Sequence, residues 1–469
     1  MPFLAIGGGR IYLHPVVMKR ILYGLLITVL GLNLLAGARV YQASAEAAGK
    51  DNAYPSLELF STVLEKVRSE YVDATNTTYQ DLVYSALKGM VGTLDPHSEF
   101  MDPEKYKELK DDTSGSFGGL GIVIQSKDDF ITVVSPIEDT PGFRAGIMSG
   151  DRIVKINGRS TEKMSLPDAV KNLRGQPGTD VSITTFRPST STTKEMTLTR
   201  AIINIDMVKD INSKREFPLG PDGIGYIRIV QFSEKTSDEL ENALDKLMGQ
   251  GMKSLVLDLR WNPGGLLDQA VDVCQKFLPR GKLVVTTEGR SSSQSSVRKA
   301  QGHGDELVDK KGRPLPMVIL VNMASASAAE IVSGCLQDWK RAIVLGDVTF
   351  GKGSVQSVIP LPDGAALRLT TAKYYTPSHK VIHEHGITPD VLVPTTDEED
   401  RLILQKRIPA GGLEQLSEKE REQLKEFHDP QLDRAIDLLK GIMLYTSLST
   451  DQEAEPGQQA TTGKMANAK

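Results

Sequence analysis

The chain has very little cysteine, few aromatic residues and no excess of positive charge. Its 469 residues include two cysteines, 6% aromatic residues, and 55 lysines and arginines against 60 aspartates and glutamates, which gives a formal net charge of −5. Because Cys274 and Cys335 are far apart and no CxxC motif occurs, the sequence predicts neither a disulfide framework nor a zinc site. We interpret both cysteines as small core residues. The missing basic excess argues against nucleic acid as a partner.

One long apolar run stands near the N-terminus, at residues 21–38, directly after Lys19-Arg20. It is at the short end of the roughly 17–25 residues that a membrane-spanning helix needs. The basic pair before it predicts that the body of the chain is exported, to the periplasmic or extracytoplasmic side of the inner membrane. Ala43-Ser-Ala45 resembles a signal cleavage site, so an uncleaved membrane anchor and a cleaved signal are both open.

Length and changes of pattern predict several domains. Helical spacing predicts helices over 57–72, 81–91 and 103–109. Glycine turns and short strands follow them. From about residue 223 to 395, predicted strands alternate with predicted helices. The predicted segments are a signal or anchor with linker (1–50), a helical segment (51–112), a small β-rich domain (113–200), a larger α/β domain (201–397), a helical segment (398–449, with helices over 417–427 and 431–444) and a disordered tail (450–469).

The β-rich stretch begins with the glycine-rich run Gly118, Gly119, Leu120, Gly121 and Ile122. Behind it come Gly150-Asp-Arg-Ile-Val-Lys-Ile-Asn-Gly158, a helix over 167–173 and an alternating strand over 180–186. This order resembles a PDZ domain, and the glycine-rich run resembles the PDZ loop whose backbone N–H groups bind a peptide C-terminus. A glycine-rich hairpin without a ligand is the plainer alternative for the run alone.

Ser327 follows the apolar strand pattern Met317–Val321 and stands where a helix over 325–339 is expected to begin. Ser327-Ala-Ala-Glu330 fits a capping box, in which the serine only caps the helix, although Ser325 could cap instead and leave Ser327 free. A serine at a helix N-terminus is also well placed for nucleophilic catalysis, because the helix end favours the negative charge of an oxyanion.

Lys352 lies in Phe350-Gly-Lys-Gly-Ser-Val-Gln356. Gly346 to Lys352 matches the GxxxxGK pattern of a phosphate-binding loop, but Gly353 and a strand pattern follow where that loop needs Ser or Thr and a helix. A lysine with a pKa lowered by burial can serve as the base for a serine, and Phe350 with the two glycines suits a tight apolar site. If the strand begins near Lys352, the two-residue period places Gln356 on the same face, where it can orient the lysine amine. A solvent-exposed lysine is the plain alternative.

Gly264-Gly265 stand between a predicted strand and a predicted helix. They form either a routine tight turn or an oxyanion hole, in which a glycine N–H and the Ala328 N–H face the developing charge. His383-Glu-His385 lacks further ligands at metal-binding spacing, so we interpret it as a surface loop. We expect no metal and no cofactor.

Together these motifs resemble the carboxyl-terminal processing (tail-specific) proteases over about residues 57–395. The resemblance implies a crotonase-like α/β protease core with an inserted α+β PDZ domain and helical N- and C-terminal segments. It implies an endopeptidase in which Ser327 is the nucleophile, Lys352 the base and Gln356 its partner, with Gly264, Gly265 and Ala328 around the oxyanion. Two positions depart from the family pattern: Ala329, where the family commonly has serine, and His383–His385.

The expected partners follow from the same resemblance. They are protein or peptide substrates bound by their C-termini, the membrane through the N-terminal apolar segment, a regulatory adaptor, and a second copy of the chain through the terminal helices. A non-catalytic scaffold that only binds peptide tails is the competing hypothesis. The joint presence of Ser327, Lys352 and Gln356 argues against it.

Overall fold

The computed structural model describes residues 53–73, 75, 77–127, 129–137, 139–302, 304–305, 307–407 and 416–453, together with residues 28 and 31. The apolar run at 21–38 lies outside these residues except for those two positions, and the cleavage-type sequence at 43–45 and the tail beyond 453 lie outside them entirely. Among the described residues, no helix is long and apolar enough to cross a bilayer.

The chain divides into two units, residues 1–89 and residues 90–469. The described part of the first unit holds α1 (Ala53–Glu70) and most of α2 (Tyr79–Gly92). Both predicted helices are therefore present, and α1 begins and ends earlier than its pattern predicted. No residue of α1 is buried, although its sequence is amphipathic.

The second unit begins with β1 (Glu99–Met101) and α3 (Pro103–Ser114). Asp102 starts α3, because its side chain accepts a hydrogen bond from the Lys105 N–H and Pro103 occupies the first turn. Gly115 ends it in the left-handed conformation at φ 68°. The helix therefore continues past the predicted end at residue 109.

A small β domain follows. Its elements are β2 (Ser116–Gly119), β3 (Ile122–Lys127), β4 (Phe130–Pro136), α4 (Pro141–Arg144), β5 (Arg152–Ile156), β6 (Arg159–Ser160), α5 (Leu166–Leu173), β7 (Asp180–Arg187), β8 (Thr192–Thr199) and β9 (Ala201–Asn204). The main sheet has the order β3–β4–β5–β7–β8, so β3 lies at an edge, and β2 pairs with β9 in a separate ribbon. Side chains such as Ile131, Ile153 and Ile183 form its own core.

The larger domain is built on a second sheet of order β10–β11–β12–β15–β16–β19. All neighbouring strands in it are parallel except the pair β10–β11. The strands are β10 (Val208–Lys209), β11 (Ile224–Ile229), β12 (Ser254–Asp258), β15 (Met317–Val321), β16 (Ile343–Gly346) and β19 (Val391–Leu392), and the helices are α6 (Thr236–Gly249), α7 (Leu267–Gln275) and α8 (Ala328–Asp338). Every residue of β15 is buried, as expected for a parallel strand covered on both faces.

A third sheet lies beside this layer, with β18 at its centre. Its strands are β13 (Leu283–Gly289), β14 (Ser296–Lys299), β17 (Ser354–Pro360) and β18 (Ala366–Tyr375), and β1 pairs with β18. The predicted strand after Lys352 is therefore β17, which confirms that no phosphate-loop helix follows the lysine. Cys274 and Cys335 are both buried and form no disulfide, as their interpretation as core residues predicted.

The C-terminal helices are α9 (Asp397–Lys406), α10 (Glu418–Glu426) and α11 (Pro430–Glu453). Ala435 and Leu439 of α11 pack on one face of the parallel sheet, and α6–α8 cover the other face. The predicted disordered tail is wrong for residues 450–453, which continue α11. The architecture is thus α/β for the larger domain, with a small inserted β-rich domain and a helical C-terminal segment.

Fully buried Arg260 anchors the start of α11 to the sheet. Its guanidinium contacts Asp258 at 2.8 Å and Asp429 at 2.9 Å, and its Nη1 donates to Gln431 Oε1 at 3.0 Å. Burial would raise the pKa of Asp258, but the neighbouring Arg260 and Arg407 hold it well below its usual range. The C-terminal segment is therefore attached through charge-assisted hydrogen bonds as well as apolar packing.

Candidate active site

The carboxyl ends of three adjacent parallel strands bring the sequence motifs together. β12 leads into the Asn262–Gly265 turn, β15 leads into the loop before Ser327, and β16 leads into the loop that carries Lys352. In open α/β sheets, this edge is where ligands bind. The topology therefore converts three distant motifs into one site.

Ser327 occupies the N-cap position of α8 in a strained backbone conformation, with φ 56° and ψ −114°. Such a conformation costs about 1–3 kcal/mol in an L-residue, and strained residues of this kind cluster at active sites. Ser325, the alternative cap, is used elsewhere: its hydroxyl donates to the Leu259 carbonyl at 2.8 Å and accepts from the Asn322 N–H at 3.0 Å.

Glu330 connects the serine loop to the lysine loop. Its Oε2 accepts from the Ser327 N–H at 2.7 Å and from the Lys352 N–H at 2.9 Å. Its Oε1 accepts from the Thr349 hydroxyl at 2.6 Å and from the Gly351 N–H at 2.7 Å. Burial raises the pKa of this carboxyl, and the four hydrogen bonds oppose that rise. The capping-box glutamate thus fixes the Ser327 loop and the Lys352 loop relative to each other. Its spacing to Ser327 alone did not predict this role.

Lys352 is half-buried, and burial lowers the pKa of its amine below the ordinary lysine value. The charge of Arg368 lowers this pKa further, and the carboxylates of Glu330 and Asp95 oppose the change. No hydrogen bond among the described residues uses the amine, so the hydrogen bond to Ser327 that a dyad requires is not formed. Phe350 is 61% exposed, so the prediction that it forms part of a tight apolar site around Lys352 is wrong. Other residues bury Lys352.

His383 lies against the lysine loop. A Cβ at Gly353 would lie 2.4 Å from the His383 backbone nitrogen, so only glycine allows the two segments to meet. The Glu384 N–H donates to the Gly351 carbonyl at 2.8 Å. Residues 383–385 are therefore packed on the lysine loop, and the Nδ1 of His383 is buried without a hydrogen-bond partner in the part of the chain that is described.

Tyr374 is a site residue that no sequence signal indicated. Its buried hydroxyl donates to the Lys352 carbonyl, and the Ser327 side chain lies close enough to influence its pKa. Burial holds the pKa of this phenol well above its usual range, so the hydroxyl keeps its proton. Tyr374 is thus a second link between Ser327 and the lysine loop.

Gln356 lies on β17, but its relation to Lys352 differs from the prediction. The strand begins at Ser354 and has a register shift between Val355 and Gln356, so the two-residue period does not extend back to Lys352. Gln356 Nε2 donates to the Ser354 hydroxyl at 2.9 Å and to the Thr370 hydroxyl at 3.3 Å. Its Oε1 receives no hydrogen bond from any described residue.

The Gly264-Gly265 turn lies directly against Ser327. Both glycines have positive φ, 96° and 142°, and a Cβ at Gly264 would lie 2.6 Å from the Ser327 Cβ. The Gly264 N–H donates to Asn262 Oδ1 at 2.8 Å, and the N–H groups of Gly265 and Ala328 have no acceptor among the described residues. Gly265 and Ala328 therefore present the free donors of this turn.

The glycine-rich run of the small β domain lies at the start of its edge strand. The Gly121 carbonyl accepts from the Ile137 N–H at 2.8 Å, and Gly118 and Gly119 pair with β9. Within the described part of the chain, no hydrogen bond uses the N–H of Leu120 or Gly121. The run therefore offers backbone donors beside an open strand edge, and Ile122 begins that strand.

Comparison with known proteins agrees with this architecture. Residues 223–393 match the model of peptidase family S41, and residues 108–185 match the PDZ domain model. The carboxy-terminal-processing protease of Bartonella bacilliformis is 42% identical over 78% of this chain and 81% of its own length. The carboxyl-terminal-processing protease of Picosynechococcus is 38% identical over 67% of this chain and 74% of its own length. The carboxy-terminal processing protease CtpA of Bacillus subtilis is 36% identical over 71% of this chain and 68% of its own length.

These relatives are aligned over most of both chains. The chain belongs to the carboxy-terminal-processing proteases of peptidase family S41, and it is a PDZ-containing serine-type peptidase.

Proposed function

We propose that Ser327 is the nucleophile of this peptidase and that Lys352 is its general base. The observation that carries the proposal is the Glu330 carboxylate, which binds the backbone N–H of both residues through one oxygen. The neutral form of Lys352 is favoured by burial and by Arg368. A neutral amine within reach of the serine can take the hydroxyl proton.

In the reaction, Ser327 Oγ attacks the carbonyl carbon of the scissile peptide bond while Lys352 takes its proton. The negative charge of the tetrahedral oxygen faces the N–H groups of Gly265 and Ala328, each of which is worth roughly 2.7–4 kcal/mol of the barrier. Gly264 supplies the close approach of this turn to Ser327. Lys352 then protonates the leaving amine as the C–N bond breaks, and a water molecule that Lys352 deprotonates releases the acyl group from Ser327.

Gln356 orients Lys352 in this proposal. Its free Oε1 is the group that accepts from the lysine amine when Lys352 turns toward Ser327. The apo geometry leaves this hydrogen bond and the serine–lysine hydrogen bond to be formed with substrate, as catalytic hydrogen bonds often are.

The PDZ domain delivers the substrate. An unstructured C-terminal tail adds to the edge strand β3, and its carboxylate binds the backbone N–H groups of the run from Gly118 to Ile122, chiefly those of Leu120 and Gly121. The open edge of β3 and the unused N–H groups support this assignment. Amidation of a peptide's C-terminus is expected to raise KM and leave kcat little changed, because it removes the negative charge that the loop binds.

The test of the chemistry is hydrolysis of casein, an unfolded protein, by the full chain and its variants. Ser327→Ala and Lys352→Ala are expected to abolish hydrolysis, and Lys373→Ala, which removes an exposed lysine from the neighbouring strand β18, is expected to keep it. Cleavage by Ser327→Ala at the wild-type rate would refute the nucleophile. Absence of cleavage by all four proteins, wild type included, would favour the scaffold hypothesis.

The proposed place of action is outside the cytoplasm. The Lys19-Arg20 pair before residues 21–38 supports export, with the segment kept as an anchor or removed as a signal. Exposed apolar residues on α1, including Leu57 and Phe60, support a second copy of the chain as its partner. Cell fractionation with N-terminal sequencing tests the first point, and light scattering of full-length and α1-deleted protein tests the second.

A further inference from the structure

The segment from Asp95 to Ser98 precedes the PDZ domain in the sequence, yet it is attached to the strand that supports Gln356. The Arg368 Nε donates to the His97 carbonyl at 3.2 Å, and the Thr370 N–H donates to the Ser98 hydroxyl at 3.0 Å. β1 then continues from this segment and pairs with β18. The segment is thus fixed on β18 at the level of the active site.

Asp95 is the acceptor at the centre of this segment. Its Oδ1 accepts from the N–H groups of His97 and Ser98, both at 2.8 Å, and its Oδ2 accepts from the Ser98 hydroxyl at 2.6 Å. Although burial opposes it, these hydrogen bonds hold the pKa of Asp95 below its usual range. At neutral pH the side chain is therefore a carboxylate, which accepts hydrogen bonds and donates none.

The Thr370 hydroxyl stands between Asp95 and Gln356. Thr370 Oγ1 lies 3.2 Å from Asp95 Oδ1 and 3.3 Å from Gln356 Nε2. A hydroxyl has one proton, and because a carboxylate can only accept, the hydrogen bond to Asp95 uses that proton. The oxygen of Thr370 must then accept from Gln356, which only the NH₂ group of the amide can satisfy.

This requirement fixes which end of the Gln356 amide is held and which end is left free. The second hydrogen of Nε2 goes to the Ser354 hydroxyl at 2.9 Å, so both amide hydrogens are used. A flipped amide would place its oxygen against the lone pair of Thr370. The amide oxygen therefore points away from Ser354 and Thr370 and keeps its acceptor capacity, which the proposed function assigns to the Lys352 amine.

We infer that Asp95 is a positioning residue of the peptidase, which acts through Thr370 to hold the Gln356 amide with its oxygen toward Lys352. The inference rests on the proposed role of Gln356. It extends the catalytic apparatus to a segment outside the family's serine, lysine and glycine motifs.

The test is a double-mutant cycle on casein hydrolysis by the full chain. Asp95→Asn can present either end of its amide to Thr370, and Thr370→Val removes the hydroxyl at nearly constant shape. Each is expected to lower kcat roughly ten- to a hundredfold through misorientation, with KM within about twofold of wild type. Thr370→Ser keeps the hydroxyl and is expected to restore most of kcat. In a Gln356→Ala background, neither Asp95→Asn nor Thr370→Val is expected to lower kcat further.

The outcomes separate this inference from the function on which it rests. If Gln356→Ala lowers kcat but Asp95→Asn does not, the inference fails and the proposed function stands. If Gln356→Ala has the wild-type kcat, the role of Gln356 and the inference both fail. An equal loss from Asp95→Asn with and without Gln356 would also overturn it, because Asp95 would then act by another route. Should Asp95→Asn fail to fold, the Thr370→Val and Thr370→Ser pair decides the matter, since the backbone bond of Thr370 to Ser98 is kept in both.

Discussion

Replacement of Glu330 by glutamine tests whether this residue only caps a helix or also connects the Ser327 loop to the Lys352 loop. The carboxylate is fully buried and accepts four hydrogen bonds, two on each oxygen. In Glu330→Gln one oxygen becomes an NH₂ group, so two of the four donors face another donor. Each buried donor left without an acceptor costs about 1–3 kcal/mol, which predicts a loss of roughly 2–6 kcal/mol in the free energy of unfolding.

A matched control is available at the start of α9. Glu399 forms a capping box with Thr396, accepting from its N–H at 2.8 Å, but these hydrogen bonds are exposed to solvent. Glu399→Gln is expected to change the free energy of unfolding by about 0.5 kcal/mol or less. The two substitutions make the same chemical change, so their difference measures the buried bridging role.

The assay is urea unfolding followed by tryptophan fluorescence, in a Ser327→Ala background that prevents self-cleavage. The chain's two tryptophans, Trp261 and Trp339, both lie in the protease domain, beside the Asn262–Gly265 turn and at the end of α8, so the signal reports on that domain. A Glu330→Gln effect no larger than that of Glu399→Gln would refute the bridging role.

Three further predictions follow from the same geometry. Gly264→Ala places a methyl group 2.6 Å from the Ser327 Cβ. It is expected to lower the kcat of casein hydrolysis about a hundredfold or more. The control Gly249→Ala, whose methyl group meets no atom within 4 Å, is expected to leave kcat unchanged. Asp429→Ala removes one of the two carboxylates that pair with the buried Arg260 and leaves Asp258 in place. It is expected to lower the free energy of unfolding in urea by about 1.5–3 kcal/mol, against little change for Asp433→Ala. Arg368→Gln is expected to move the acid limb of kcat/KM to higher pH, because removal of the positive charge raises the pKa of Lys352; an unchanged limb would contradict this.

Burial is the main cause of the lowered pKa of Lys352, and the surrounding charges modify it. Arg368 on β18 lowers the pKa of its amine, and the carboxylates of Glu330 and Asp95 raise it; His97 is also within electrostatic range. Because the folded pKa is below the ordinary value of 10.5, the unfolded chain binds more protons at any pH between the two. Lys352 therefore contributes more to stability as the pH rises through this window.

Much of the fold was predictable because its signals are local. The apolar runs at Ser254–Asp258 and Met317–Val321 are buried parallel strands, and the strand pattern after Gly353 correctly excluded a phosphate loop. The predicted PDZ domain and α/β protease domain are confirmed by the family matches. The wrong predictions concern the ends of helices. The helix α3 continues to the cap at Gly115, and α11 continues through residue 453.

The wider site could not be predicted because it depends on contacts between distant segments. Asp95 reaches Gln356 only through pairing of β1 with β18, and Tyr374 reaches Lys352 only because β17 and β18 are neighbours. The register shift at Gln356 also broke the two-residue period on which its predicted orientation depended. Local motif spacing predicted the candidate catalytic residues, whereas the contacts around them depend on the topology of the sheets.

If Ser327 is the nucleophile and Lys352 activates it, Ser327 forms an acyl intermediate during turnover. The most direct test is mass spectrometry of the full chain quenched with acid during turnover of a peptide ester. The predicted result is a covalent acyl group on the fragment that contains Ser327, absent in Ser327→Ala and strongly reduced in Lys352→Ala. Turnover with no adduct, or an adduct on a different residue, would contradict the account.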